Sequence, residues 1–215
     1  MNRFVWDLRY APASAEENGG GDEEGPPGRG PQVLPGTYRV RLTVAGRQLT
    51  QPVTVVLDPR STATPADLAK QFDLALKAWR DVKRAAEAMN QLAVLRRRVA
   101  EIKSQSSANA ALAALASEVD TSAAQISGGS GGRGGSSAPT GLAAAESELN
   151  ASLGVAESAD RTPPAAAYTL YQQGSRGLAA QLTALATLKN GKLAELNRAL
   201  RAANLPEIQL EAAAQ

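Results

Sequence analysis

Apolar and polar residues alternate strictly from Thr37 to Val44. Tyr38, Val40, Leu42 and Val44 fall on one face, and Thr37, Arg39, Arg41 and Thr43 on the other. Pro35-Gly36 punctuates the chain before this run, and Ala45-Gly46 follows it as a tight-turn dipeptide. Gln48 to Val56 reads as the return strand, with Leu49, Val53 and Val55 facing inward. The pair is a β-hairpin with one wet face, and Pro52 marks an edge or a bulge in its second strand. An earlier run, Asn2 to Tyr10, has the composition of a further strand, with Val5, Trp6 and Leu8 resembling the inside of a domain. Three strands sharing an apolar face require a second layer.

Beyond Asp58-Pro59-Arg60 the period changes from two to three and four. Thr64 is placed as a helix N-cap, Pro65 at the first helical position, and Asp67 where a carboxylate suits the helix dipole. The stripe Leu68, Phe72, Ala75, Trp79, Val82, Ala86, Met89, Leu92, Leu95, Val99 and Ile102 predicts one long amphipathic helix from Pro65 to about Ser104. Ala108 to Ile126 and Thr140 to Leu153 read as shorter helices. Thr162-Pro163-Pro164 repeats the Thr-Pro helix start ahead of a long helix from Ala165 to Ala203. Its stripe includes Tyr168, Tyr171, Leu178, Leu182, Leu185, Leu188, Leu193, Leu196 and Leu200. Gly174, Gly177 and Gly191 mark local weak points or close helix contacts. The two long helices are expected to pack antiparallel, the shorter ones completing a three- or four-helix bundle, and Leu205-Pro206-Glu207-Ile208 to end the last helix and pack back.

Two polar stretches interrupt this pattern. Residues 11–31 are rich in Gly, Pro and acid (Glu16, Glu17, Asp22, Glu23, Glu24) and read as a loop. Residues 127–139 are a Gly/Ser-rich linker expected at one end of the bundle. The glycines there form no phosphate cradle, because no Gly-Lys-Ser/Thr follows a strand.

Composition narrows the chemistry. The 215 residues contain no cysteine and no histidine, which removes thiolate ligands, disulfides, imidazole bases and every Ser-His-Asp arrangement. The 23 basic and 21 acidic residues nearly cancel, so no overall field favours nucleic acid or anionic lipid. Arg96, Arg97 and Arg98 point in different directions on a helix and read as solvated side chains. No apolar run is long enough for a membrane span. Met1 does not lead into a signal-peptide pattern, and the compartment stays unassigned. A pair of carboxylates would suffice for a glycosidase, but Asp67 reads as a cap and Asp73 and Asp81 as polar helix-face residues. Asp7 and Asp58 lie on the first strand and at the strand-to-helix junction. Trp6, Phe72 and Trp79 fit core positions better than a binding pocket. No catalytic, cofactor-binding or metal-ligating residue is therefore assigned.

Asn2-Arg3-Phe4-Val5-Trp6-Asp7-Leu8-Arg9-Tyr10, Pro35-Gly36-Thr37-Tyr38-Arg39-Val40, Gln51-Pro52-Val53-Thr54-Val55 and Asp58-Pro59-Arg60 together resemble the C-terminal region of bacterial sortilin-like, BNR-repeat β-propeller proteins. Thr64 to Phe72 and Leu193-Ala194-Glu195-Leu196-Asn197 ahead of Leu205-Pro206 extend the likeness. What the resemblance implies is an α+β chain: a partial Ig-like antiparallel β-sandwich over residues 1–60, then an antiparallel helical bundle over 61–215. A full Ig-like sandwich has about seven strands, so the missing strands are expected ahead of Met1. The implied role is a non-catalytic accessory or interaction module, whose partner is an upstream propeller or Ig-like half, or another protein. Such proteins are typically exported and are often described as glycosyl hydrolases. Two alternatives accompany this expectation: an accessory domain of a glycoside hydrolase, and a helical adaptor that homodimerises through Leu92–Ile102 and Leu178–Leu200.

Overall fold

The computed structural model describes residues 5–13, 30–105, 109–129 and 138–210. It is a mixed α+β chain: a two-stranded antiparallel sheet, β1 (Gly36–Val44) and β2 (Arg47–Val55), precedes the helices. The helices are α1 (Pro65–Gln105), α2 (Ala110–Ser127), α3 (Gly141–Ala156), α4 (Ala165–Leu188) and α5 (Ala194–Ala202). A single π-helical turn, Lys189–Leu193, joins the last two into one rod.

Local chemistry sets these boundaries. At the start of α1, Asp67 N–H donates to Thr64 Oγ1 (3.2 Å) and Thr64 N–H donates back to Asp67 Oδ2 (3.1 Å). This reciprocal capping box uses Asp at the third position. Asn109 caps α2 by accepting from the Leu112 N–H at 3.1 Å. The C-terminus of α5 is a Schellman closure with Asn204 at φ 56°. Leu205 N–H reaches Leu200 C=O (2.9 Å) and Asn204 N–H reaches Arg201 C=O (3.0 Å).

The helices form an up-down-up bundle of three rods, in which α2 and α3 together make the middle rod. Asp120 of α2 accepts from Arg96 in the far half of α1. Ala156, at the end of α3, accepts from Gln71 near the start of α1. On the third rod, Ala167 clusters with Leu74, and Lys189 donates to Gln91 at 2.7 Å. The two long rods therefore run parallel, not antiparallel as the stripes suggested. Each is antiparallel to the middle rod, because an odd number of short-looped passes returns the third to the direction of the first.

The Gly/Ser-rich insertion leaves from the side of the bundle rather than from one end. Thr140 N–H donates to Gly129 C=O at 3.3 Å, joining α2 and α3 partway along α1. Gly128 and Gly141 both take positive φ there, and a Cβ on Gly128 would lie 1.8 Å from the Thr140 carbonyl oxygen. Residues 130–137 of the predicted linker lie outside the described residues.

Both stripes meet inside the bundle. Leu92, Leu95 and Val99 of α1 and Leu196 and Leu200 of α5 are fully buried in one cluster, with Leu178, Leu185, Leu188 and Leu193 nearly so. The stripes Leu92–Ile102 and Leu178–Leu200, read as a possible dimer seam, here face each other within one chain. Gly174 marks the close contact predicted for it: a Cβ there would lie 2.8 Å from Leu149 Cγ. Ile208 returns to the core. Asn197 accepts its N–H (2.9 Å) and donates to its C=O (3.0 Å).

Over its described residues, 5–10, the predicted first strand does not form. Among the described residues 5–13, only Arg9 forms a β-bridge, to Gln32. Leu8 takes φ 61°, which turns the chain and breaks the alternation. Residues 8–10 instead pair briefly with 31–33 through Tyr10 N–H to Pro31 C=O (3.0 Å) and Val33 N–H to Leu8 C=O (2.8 Å). The acidic part of the predicted loop lies outside the described residues.

Candidate functional site

The hairpin stands apart from the helices, and neither strand packs along any of them. Its register pairs Tyr38 with Val53, Leu42 with Leu49 and Val44 with Arg47. Tyr38, Val40, Leu42, Val44, Leu49, Val53 and Val55 therefore share the face that their alternation predicted. That face was expected to be covered by a second layer. Instead Val40 is 50% exposed, Leu42 57%, Val44 59% and Leu49 67%. Two apolar cross-strand pairs, Tyr38–Val53 and Leu42–Leu49, with Val40 and Val44 beside them, make an unusual solvent face, since isolated hairpins are at best marginally stable.

The connecting turn is type I′, with Ala45 at φ 48° and Gly46 at φ 79°. In such a turn the flanking pair, Val44 and Arg47, is hydrogen-bonded across the strands. Alternation from there makes Arg39–Pro52 a non-hydrogen-bonded pair, whose backbone groups face outward. Pro52 thus costs the ladder nothing; it removes a donor from the open edge of β2 instead. The open edge of β1 keeps outward N–H and C=O groups at Thr37, Arg39, Arg41 and Thr43.

The base of the hairpin is fixed by Glu157, which the sequence did not single out, and by aromatic residues that it read as core or as strand face. Glu157, just past α3, accepts from Arg9 Nη1 at 2.5 Å and from the Gln32 N–H at 2.7 Å, with its side chain only 8% exposed. Trp6 meets Tyr38 edge-on at 5.4 Å between ring centroids, and Tyr38 Oη donates to Leu34 C=O at 2.6 Å. Tyr10 lies between Phe72 (5.8 Å) and Trp79 (5.9 Å), and the Trp79 indole N–H donates to Ala11 C=O at 3.0 Å. The three residues read as core are thus partly exposed fasteners of residues 5–13. Gly30 permits the approach, since a Cβ there would lie 2.3 Å from the Tyr10 carbonyl oxygen. A cavity of about 160 Å³ beneath the hairpin base is lined by Leu68, Gln71, Phe72 and Glu157, among others.

Each candidate carboxylate has a local partner. Asp7 accepts from the Arg9 N–H, and Asp73 and Asp81 form ion pairs with Lys77 and Arg84 on α1. The Lys77 ammonium is held above its ordinary pKa by hydrogen bonding to Asp73. Asp58 grips the Arg60 guanidinium and N–H, which lowers the carboxyl and raises the guanidinium. Asp67 is lowered to about 2, first by the Thr162 hydroxyl and then by the Thr64 hydroxyl and N–H. Among the described residues no group of three His, Cys, Asp or Glu is placed to hold a metal. The arginine triplet is divided: Arg96 reaches Asp120 on α2 and Arg98 pairs with Glu101. No described helix is long and apolar enough to cross a membrane.

No protein-family model, curated protein or solved structure matches the chain.

Proposed function

We propose that this chain is a non-catalytic interaction module, in which the helical bundle is a firm base and the hairpin a docking surface. The partner supplies the remaining layer of an Ig-like sandwich over Tyr38, Val40, Leu42, Leu49 and Val53. The upstream propeller or Ig-like half implied by the sequence resemblance is one such partner. The observation that carries this reading is the apolar hairpin face left open to solvent while its base is fastened by Glu157, Trp6 and Trp79. A hairpin anchored at one end and unpacked along its length does little for its own chain, and its burial by a partner would be favourable at roughly 25 cal/mol per Å².

Site-specific photo-crosslinking in the source cell tests this. A photoreactive residue replacing Leu42 is expected to form one discrete adduct, identifiable by mass spectrometry. The same residue replacing Ala93, exposed on α1, is expected to form none. Absence of a discrete adduct at Leu42, or equal adducts at both positions, would overturn the proposal.

A further inference from the structure

We infer that the partner engages by adding a strand to the free edge of β1, and that this strand alternates apolar with acidic residues. This rests on the interaction-module reading and specifies its chemistry. The two hairpin edges are unequal: Pro52 deprives the β2 edge of a donor at its middle, whereas the β1 edge has an unbroken outward set from Thr37 to Thr43. Strand addition draws its affinity from such main-chain groups and its specificity from alternating side chains.

Charge identifies the incoming strand. From Gly36 to Leu57 the hairpin carries Arg39, Arg41 and Arg47 and no acidic residue. Among the described residues none of the three arginines has a salt-bridge partner. Arg39 and Arg41 stand side by side on the polar face of β1, two residues apart. An added antiparallel strand places one residue directly opposite each of them. Carboxylates there, with an apolar residue between them opposite Val40, complete the ion pairs and extend the apolar face in register. A second copy of this chain fails the same criterion. Antiparallel β1–β1 pairing centred on this edge sets Arg39 against Arg41, or either against itself, and like charges directly opposite are destabilising.

The test is a nine-residue peptide with two central glutamates flanking a valine and valine–threonine alternation outside them, titrated into the full chain. Amide hydrogen exchange is read by NMR. The expected result is saturable protection of the Thr37, Arg39, Arg41 and Thr43 amides, with no change along the β2 edge. Replacing the glutamates by lysines should weaken binding about tenfold, two cross-strand pairs each being worth up to ~1 kcal/mol. In the R39E/R41E double variant the preference should invert, with the bundle's helical circular dichroism unchanged. Binding without protection of those four amides, or the same affinity for both peptides, would overturn strand addition or its charge rule. Protection in the absence of peptide that rises with protein concentration would make the occupant a second copy and overturn the acidic partner. Either outcome leaves the Leu42 crosslink intact, so failure here is distinct from failure of the interaction module itself.

Discussion

Asp67 accepts from two threonine hydroxyls and one backbone N–H while sitting at the positive end of α1. Each donor favours the ionised form, which lowers its pKa from 3.8 to about 2. The folded value lies below the unfolded one, so the stabilisation is fully present above about pH 4. It is lost as pH falls towards 2. Asp67→Asn should therefore lower the melting temperature at pH 7, with the gap to the parent chain closing between pH 4 and pH 2. A constant gap across that range, measured by thermal unfolding, would contradict the assignment. Two glycines of the last rod make a second contrast at this scale. At Gly174 a Cβ would meet Leu149 Cγ at 2.8 Å and the Ala145 carbonyl oxygen at 3.0 Å, whereas at Gly191 it meets nothing within 4 Å. Gly191→Ala should stabilise by up to ~1 kcal/mol through helix propensity. Gly174→Ala should destabilise by about 1–2 kcal/mol, because overpacking outweighs the same gain. Urea unfolding of the two variants should give opposite signs.

The last rod also shows what a periodic pattern carries and what it hides. Leu178, Leu182, Leu185 and Leu188 advance by three and four, then Leu193 follows after five, and Leu196 and Leu200 resume the α-helical steps. That five-residue step is the mark of the π turn at Lys189–Leu193, which absorbs one extra residue and keeps both halves of the stripe on the core. It was present in the sequence but read as part of a continuous helix. Deleting Gly191 should therefore be tolerated, since it restores a four-residue step and an unbroken α-helix. Deleting Ala93 from α1 should unfold the protein or cost several kcal/mol, because it rotates Leu95 and Val99 by about 100° away from the core. Equal losses in circular dichroism thermal melts would refute the bulge as a register device. The start of α1, the four helical segments and the hairpin face were legible for the same reason: caps and periodicity are local signals. Tertiary attachments were not. Glu157 looks like any exposed acid after a helix, yet it holds Arg9 and Gln32 from more than a hundred positions away. Nothing local says that Leu8 takes a positive φ, or that Trp79 fastens a loop rather than filling the core.

At the scale of the molecule the chain divides its apolar residues between two uses. The bundle encloses Leu92, Leu95, Val99, Leu196 and Leu200 without exposure, whereas the hairpin leaves Leu42 and Leu49 more than half exposed although they face each other across the strands. If the bundle is the base and the hairpin the docking surface, these two sets differ in what they do for the free chain. Leu92→Ala should cost ~2–5 kcal/mol by opening a cavity in the core, a fall of roughly 5–15 °C in melting temperature for a domain of this size. The double variant L42T/L49T introduces β-branched side chains that suit a strand and form a compatible cross-strand pair, so the hairpin itself persists. Its melting temperature should stay within about 1 °C of the parent, because the leucines it replaces pack on no helix. What should change is surface chemistry: binding of a hydrophobic fluorescent dye by the native protein should fall, as should the Leu49-side contacts of any crosslinked partner. A melting temperature lowered as much by L42T/L49T as by Leu92→Ala would mean that the hairpin face is already buried in the free protein. In that case the division between base and docking surface would be wrong.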